Sequence, residues 1–478
     1  MDSASLQFVF FGLAVALISN LSRSRVWRSA VLMIANLLFL YLLARNAIVL
    51  LPLSGFLLFG YAALVLLERG WSKRVLWSVL TVVLAYVWLK KYVFLPQAIL
   101  LPSPYFTVGL SYIFFRVLQL LIELGDETEK QHIGPGAYLL YMLNFTTLVS
   151  GPIQRYDEFA RDQFAEQPIP LDVRVIGLQL ERIIRGFFKV NVLAVLLNMV
   201  RDDAMAQLFA QLPQSVKMMA AFKLVVVYPL FLYANFSGYI DIVIALARLM
   251  RVRLPENFDR PFSATSFLEF WSRWHMTLSN WFKTFVYNPL LMALIRRTSS
   301  VTLQPYLGVL CYFATFFLVG VWHGRTSEFI FFGLLQGIGV SVNKLWQMGM
   351  TRALGRNRQK ALARNIFYSS FSRGLTFGWL SVTLVWFWAE WKQINSIFVA
   401  LSGVQWLGVW AAIWLCATVF LALWESLRAA LLSMRTKEGP VLLSRYARVV
   451  YASALGLAGL VMTILLNEPV PEVIYKVF

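Results

Sequence analysis

Apolar residues run along this chain in blocks rather than in stripes. The blocks fall near 6–21, 30–51, 54–67, 76–89, 105–123, 137–150, 175–200, 219–248, 305–322, 327–347, 374–389, 397–424 and 447–466. Many approach the ~20 residues a helix needs to cross the hydrocarbon core of a bilayer. No stretch alternates cleanly with period two over about ten residues, so the pattern predicts helices and not a β-barrel. The fold class is therefore all-α, a polytopic integral membrane protein with about 10–12 transmembrane helices of that length. Several blocks are short or contain Pro, Gly or a charge and read as broken or re-entrant. Irregular backbone persists at membrane depth only when buried in protein or lining a cavity, so these blocks point to one. Polar segments at 124–135, 154–173, 251–266 and 349–373 read as the main loops. No repeat, Gly/Ser-rich linker or low-complexity block divides the chain, so 1–478 reads as one membrane domain. Residues 1–5 lack a charged signal-peptide start, and 6–21 reads as a first retained span.

Composition agrees with the pattern. Of 478 residues, 59% are hydrophobic and 14% charged, where a soluble chain would be about a quarter charged. The net charge of +19 would suggest nucleic acid in a soluble protein. Here it reads as Lys and Arg gathered in cytoplasmic loops at 23–28, 68–74 and 351–364, which places the N-terminus outside the cell. Such a face also suits anionic lipid head groups or an anionic cytosolic donor, so the expected partners include membrane lipids and no nucleic acid. Cys311 and Cys416 lie in apolar runs without metal spacing and read as buried filler.

Candidate chemistry is sparse. The chain has three histidines, and two follow a tryptophan: Trp274-His275 and Trp322-His323. Around the first, Ser263 or Ser266 reads as a helix N-cap, with Glu269 completing a capping box on Ser266. At ~100° per residue the following helix would place Trp271, His275, Leu278 and Phe282 on one face, with Arg273 and Asn280 opposite. A histidine in such a stripe is either a satisfied core residue or a site residue. His323 ends one apolar run between Gly320 and Gly324, which permit close approach. It is either part of an interfacial loop with a Trp anchor or a reactive group, with Arg325, Ser327 and Glu328 at the break. Asp241 lies inside an apolar helix pattern, bonded to Tyr239, Arg248 or a loop amide, or else serving a site directly. HExxH, Walker and GxSxG motifs are absent. "GLLQGIG" (333–339) reads as helix packing. The scattered carboxylates and histidines form no metal-ligand cluster, so no metal is expected.

Four segments resemble the membrane-bound O-acyltransferases, in the bacterial branch of alginate O-acetylation and teichoic acid D-alanylation proteins. They are "LVSGPIQRYDEF" (148–159), "YANFSGYIDIVIALARLM" (233–250), "NFDRPFSATSFLEFWSRWHMTLSNWFKTFVYNPL" (257–290) and "LVGVWHGRTSEFIFFGLLQG" (318–337). The C-terminal "PEVIYKVF" is faintly similar to the family's aromatic end. The resemblance implies a multi-pass protein of the bacterial cytoplasmic (inner) membrane, with helices around a central tunnel. It implies transfer of an acyl group, most simply acetyl, from a cytosolic thioester to a hydroxyl of an extracytoplasmic polysaccharide. It makes His323 the catalytic base or acyl relay and His275 a second site residue. Trp322, Trp274, Trp271, Arg273, Asp241, Ser237, Tyr239, Arg155 and Gln154 would line the tunnel or the substrate path. No tightly bound cofactor is implied. The donor would be acetyl-CoA or an acyl-carrier thioester, and the partners a periplasmic or extracellular acyltransferase, the polysaccharide and, with the second donor, an acyl carrier protein. D-alanyl transfer to teichoic acid, or a transporter or flippase using Asp241, Arg155 and the histidines, are the alternative readings. The chain departs from the alginate pattern in three places: "LMALIRRTSS" replaces a Gly-Gly-Asn loop, Thr277 stands where Ser is common, and Lys283-Thr284 where Arg-Asp is common.

Overall fold

The computed structural model describes residues 5–44, 46, 48–69, 74–101, 105, 107–126, 132–436, 439–440, 444–466 and 471. Most of the basic 68–74 loop and residues 472–478 of the C-terminal stretch lie outside these. Among the described residues the chain is almost wholly helical, with one two-residue strand pair, Arg435–Thr436 with Gly439–Pro440. Eight helices among the described residues are long and apolar enough to cross a membrane, and Leu6–Ser19 and Val75–Lys90 are shorter apolar helices. The protein is thus an all-α, polytopic membrane protein.

The described residues form two compact units, one drawn from 1–190 and 236–256, the other from 191–235 and 257–471. The sequence offered no sign of this division, because both units share one composition and the chain enters each twice. The first contains α1 (Leu6–Ser19), α2 (Arg25–Ala44), α3 (Leu51–Glu68), α4 (Val75–Lys90), α5 (Leu110–Asp126), α6 (Pro135–Met142), α7 (Tyr156–Gln163) and α8 (Val173–Phe188). A π-helical turn, Lys189–Leu193, leads into α9 (Ala194–Phe209), and α10 (Gln214–Leu249) supplies residues to both units.

Within the first unit, aromatic rings supply much of the core: Phe8, Phe39 and Phe145 meet at 5.7–6.2 Å. A fully buried cation, Arg116, has no carboxylate partner among the described residues. Its Nη1 donates to the carbonyls of Tyr141 and Met142, and its Nη2 to that of Thr147, all at 2.8 Å. The first two belong to the C-terminal end of α6, where carbonyls lack intrahelical partners and carry partial negative charge.

The second unit continues with α11 (Phe267–Arg273), α12 (Met276–Phe282), α13 (Asn288–Arg296), α14 (Gln304–His323), α15 (Ser327–Arg364), α16 (Ile366–Thr383), α17 (Val385–Trp388), α18 (Trp391–Val399), α19 (Gly403–Ser433) and α20 (Arg445–Leu466). The polar segment 349–373, read as a loop, is mostly helix. α15 continues to Arg364 with a kink at Gly355 (φ 75°), and Asn365 then caps α16. Its charged residues are good helix formers, which outweighs their polarity. Likewise, "LMALIRR" forms the last two turns of α13 where a glycine loop was expected. The loop at 154–173 contains α7. Cys311 is buried, but Cys416 is exposed on α19, against expectation. On a membrane-spanning helix an exposed small apolar side chain has lipid for solvent.

Candidate active site

The second unit carries both Trp-His pairs. Ser266 caps α11, its hydroxyl accepting from the Glu269 amide at 3.2 Å. The Glu269 carboxylate turns back one residue further than a capping box requires. It accepts from the Thr265 amide and hydroxyl at 2.8 and 2.9 Å, and from Arg273 at 2.7 Å. Arg273 therefore serves the helix it stands on.

The continuous helical stripe through Trp271, His275, Leu278 and Phe282 is not formed. The helix stops at Arg273, and His275 adopts a left-handed backbone (φ 45°, ψ 53°) before α12 begins at Met276. The cause lies in the segment 257–259. Asp259 N–H donates to the Arg273 carbonyl at 3.0 Å, Met276 N–H to that of Asn257 at 2.9 Å, and Phe258 forms an antiparallel bridge with Trp274. A non-glycine residue held with positive φ stores of order 1–3 kcal/mol, and such strain concentrates at functional positions.

The same segment sets the protonation of His275. The Asn257 side-chain oxygen accepts from the Thr277 amide at 3.1 Å and the Thr277 hydroxyl at 2.9 Å, and lies 3.2 Å from His275 Nδ1. The amide fixes which end of the Asn257 carboxamide faces it, because an NH₂ would oppose another donor. Nδ1 must then carry the proton, leaving the lone pair of the neutral ring on Nε2. Complete burial pushes the His275 pKa down to about 3, so the ring stays neutral at physiological pH. Thr277, a departure from the usual Ser, keeps the hydroxyl this arrangement uses. Asn257 was not singled out from sequence; its position in the quoted block was the available signal.

His323 is the last residue of α14 and is buried. Its ring lies 4.9 Å from Trp322, and edge-on to Phe387 at 5.1 Å and Phe332 at 6.0 Å. The glycines flanking it act as expected. A Cβ on Gly320 would stand 2.1 Å from Gly333 Cα, and one on Gly324 2.1 Å from the Phe329 ring. α14 and α15 thus pack backbone to backbone, and Gly337 extends the seam against Phe313. Beyond the elbow, Glu328 accepts from the Trp391 amide at 3.0 Å and Ser327 from its indole at 2.8 Å, which ties the start of α18 to the turn.

The remaining tryptophans pack. Trp271 meets Phe316 at 5.2 Å, and Trp274 stacks on Phe270 at 5.5 Å and meets Phe258 edge-on at 5.1 Å.

Five further candidates belong to the first unit. Among the described residues Asp241 does not bond to Tyr239, Arg248 or a loop amide. It receives Arg182 at 2.9 Å, Lys189 at 2.9 Å and Arg185 at 3.4 Å, and Arg182 also binds Glu256. Lys189 donates to Ser237 as well, at 3.2 Å. Sequence could not select these partners, because they lie more than fifty positions upstream on α8 and the π-turn. Tyr239 is buried against Phe8. Gln154 donates to the Arg253 carbonyl at 2.8 Å. Arg155 is half exposed and pairs with Glu123 at 2.8 Å and Asp157 at 3.4 Å.

The second unit of this all-α membrane chain thus holds one buried imidazole oriented by Asn257 and a second buried histidine at a helical elbow. The model of the membrane-bound O-acyltransferase family matches residues 46–372, and the chain belongs to that family. It is 32% identical over 258 residues to a Streptococcus thermophilus teichoic acid D-alanyltransferase, covering 53% of this chain and 60% of the relative. It is 26% identical over 293 residues to a probable alginate O-acetylase AlgI of Pseudomonas aeruginosa, covering 61% and 51%. Against a Helicobacter pylori peptidoglycan O-acetyltransferase it is 30% identical over 267 residues, covering 56% and 46%. The chain thus spans about half to three-fifths of the length of these relatives.

Proposed function

We propose that this chain is an O-acyltransferase of the bacterial cytoplasmic membrane. It would move an acyl group from a cytosolic thioester to a hydroxyl of a cell-surface polymer. The observation that carries this reading is the state of His275: buried, neutral, and with its lone pair directed to Nε2 by Asn257. The relatives' names, a teichoic acid D-alanyltransferase, a probable alginate O-acetylase and a peptidoglycan O-acetyltransferase, support the class.

An alcohol is a weak nucleophile at neutral pH, and a positioned base contributes about 10²–10⁴-fold. In the proposed reaction His323 takes the hydroxyl proton as the oxygen attacks the thioester carbonyl carbon. A new C–O bond forms and the C–S bond breaks. The imidazolium then returns its proton to the leaving sulfur, so the enzyme ends unchanged. His275 Nε2 accepts a hydrogen bond from a donor group of the substrates and holds it in line. The aromatic walls at Trp322, Phe332 and Phe387 exclude water that would hydrolyse the thioester. Acetyl transfer to a polysaccharide is the primary reading. D-alanyl transfer from a carrier protein is the second, favoured by the S. thermophilus relative. An extracytoplasmic protein partner completes delivery in the acetyl case, and the basic segment 351–364 faces the cytosol.

The test is polymer acylation in cells lacking the native gene, complemented with wild type, His323→Ala or His275→Ala at matched membrane levels. Loss with His323→Ala and weakening with His275→Ala support the reading, and the ester recovered names the acyl group. Wild-type acylation by both variants overturns it in favour of a transporter, which leaves its substrate unmodified.

A further inference from the structure

A cavity of the second unit is walled in part by Thr265, Ser266 and Phe267 at the start of α11. It measures about 590 Å³, within the usual range for ligand pockets of ~300–1,000 Å³. α15 and α16 form most of its wall, with Phe267 and Trp410 adding to it. Its chemistry changes along its length. Ile338, Val342, Leu375 and Trp379 line one part; Gln347, Gln359 and Tyr368 line the other. Ile338, Val342, Trp346, Phe371 and Leu375 are at once cavity-lining and exposed. An apolar opening on a membrane-spanning helix faces hydrocarbon rather than water. Trp346 donates from its indole to the Tyr368 hydroxyl at 3.2 Å, the kind of aromatic pair that settles at the head-group level. From Ile338 to Gln347 α15 rises about 13–14 Å. That is close to half of the ~30 Å hydrocarbon core, one leaflet.

Charge identifies the head group. Residues 329–389 contain seven Lys or Arg and no Asp or Glu. At Gly355 the helix kinks, and Gln359 folds back to bond Thr351 and the Gln347 carbonyl. This turn brings Gln359, Leu362 and Ala363 into the cavity wall. Arg356, Arg358, Lys360 and Arg364 on the same segment are exposed, and none has an ion-pair partner among the described residues. Arg352 is engaged by the Tyr306 hydroxyl at 2.7 Å.

We propose that this cavity is a binding site for one anionic phospholipid, with an acyl chain along α15 between Ile338 and Gln347 and the phosphate at the basic turn after Gly355. The proposal does not rest on the acyl-transfer reading. Zwitterionic lipid would fill the apolar part equally well but gain nothing from the four cations, each of which strengthens binding of an anionic head group several-fold.

The experiment uses the full chain in nanodiscs containing phosphatidylglycerol or phosphatidylcholine, each with a photoreactive acyl chain, and maps crosslinks by peptide mass spectrometry. Expected are crosslinks in 338–347 and 371–379, at least about tenfold stronger with phosphatidylglycerol. Val342→Trp or Leu375→Trp, which fill the cavity from exposed positions, remove them. The triple variant Arg356→Gln, Arg358→Gln, Lys360→Gln removes the preference but leaves the phosphatidylcholine signal. Unfolding temperatures of the variants show that they are folded, and either filling variant suffices if the other is not. Absence of crosslinks in these peptides, equal labelling by the two lipids, or displacement by an acyl thioester but not by phosphatidylglycerol would each overturn the proposal.

Discussion

At His275 three atoms decide the chemistry: the Asn257 oxygen, the Thr277 amide hydrogen that orients it, and the Nδ1 proton that answers it. Asn257→Leu leaves the buried Thr277 amide without its acceptor, which costs about 1–3 kcal/mol. It also frees the imidazole to take either tautomer. Acyl transfer is expected to fall at least tenfold, beyond what lower membrane abundance explains, in a quantitative immunoblot-normalised ester assay. Asn257→Asp keeps an acceptor but adds a carboxylate, which favours imidazolium and raises the His275 pKa. Activity of this variant should decline as pH falls from 8 to 6, whereas the wild-type contribution from His275 stays flat. Stability has a defined sign too. The folded pKa is about 3, below the ordinary ~6.5 of an unfolded histidine. Between these values the unfolded chain binds more protons, so the stability contributed by neutral burial is complete above about 6.5 and is lost as pH falls toward 3. Thermal unfolding in detergent at pH 7 and pH 5 should show a larger drop for wild type than for His275→Asn, which tolerates the left-handed backbone.

Helices and their contacts set the next level. The α14–α15 seam has no room for a methyl group at Gly320, whose Cβ would fall 2.1 Å from Gly333. Gly320→Ala is expected to cost about 1–3 kcal/mol of overpacking and to lower acyl transfer, although no reactive group changes; unfolding temperature and the ester assay measure both. On α10, Asp241 neutralises Arg182, Arg185 and Lys189 together. Asp241→Ala leaves cations in a poorly solvated position, a loss of about 3–5 kcal/mol for breaking a buried pair. Sharply reduced membrane accumulation is expected, partly restored at low temperature. Neither contact was readable from sequence in full. The glycines of "GLLQGIG" announced close packing but not the partner. The acidic residue inside an apolar helix announced a partner but not that it would be three cations from α8 and the π-turn. The break at Trp274-His275 left no trace, because "FWSRWHMTLSNWF" holds neither Gly nor Pro and keeps helical spacing. Backbone pairing with residues 257–259, fourteen or more positions upstream, overrides it.

The whole molecule was the most legible level. Long apolar blocks and scarce charge are enough to require lipid, since the bilayer accepts only elements that satisfy their own backbone. The division into two units was hidden, because membrane composition is uniform on both sides of it. Orientation rests on the cationic segment 351–364. In a chain with Cys311 and Cys416 replaced, a cysteine at Arg358 should react with an impermeant maleimide in inverted vesicles and not in intact cells. The elbow at His323 has a consequence at this scale. A side chain at the end of a seam without slack, boxed by the rings of Trp322, Phe332 and Phe387, cannot swing from one face of the membrane to the other with a cargo attached. In an acyltransferase built this way the histidine is a fixed station, and the travelling is left to the two substrates. Turnover would then be governed by arrivals and departures, so at saturating donor the rate should follow the supply of acceptor and the exit of spent thiol more than the basicity of the imidazole.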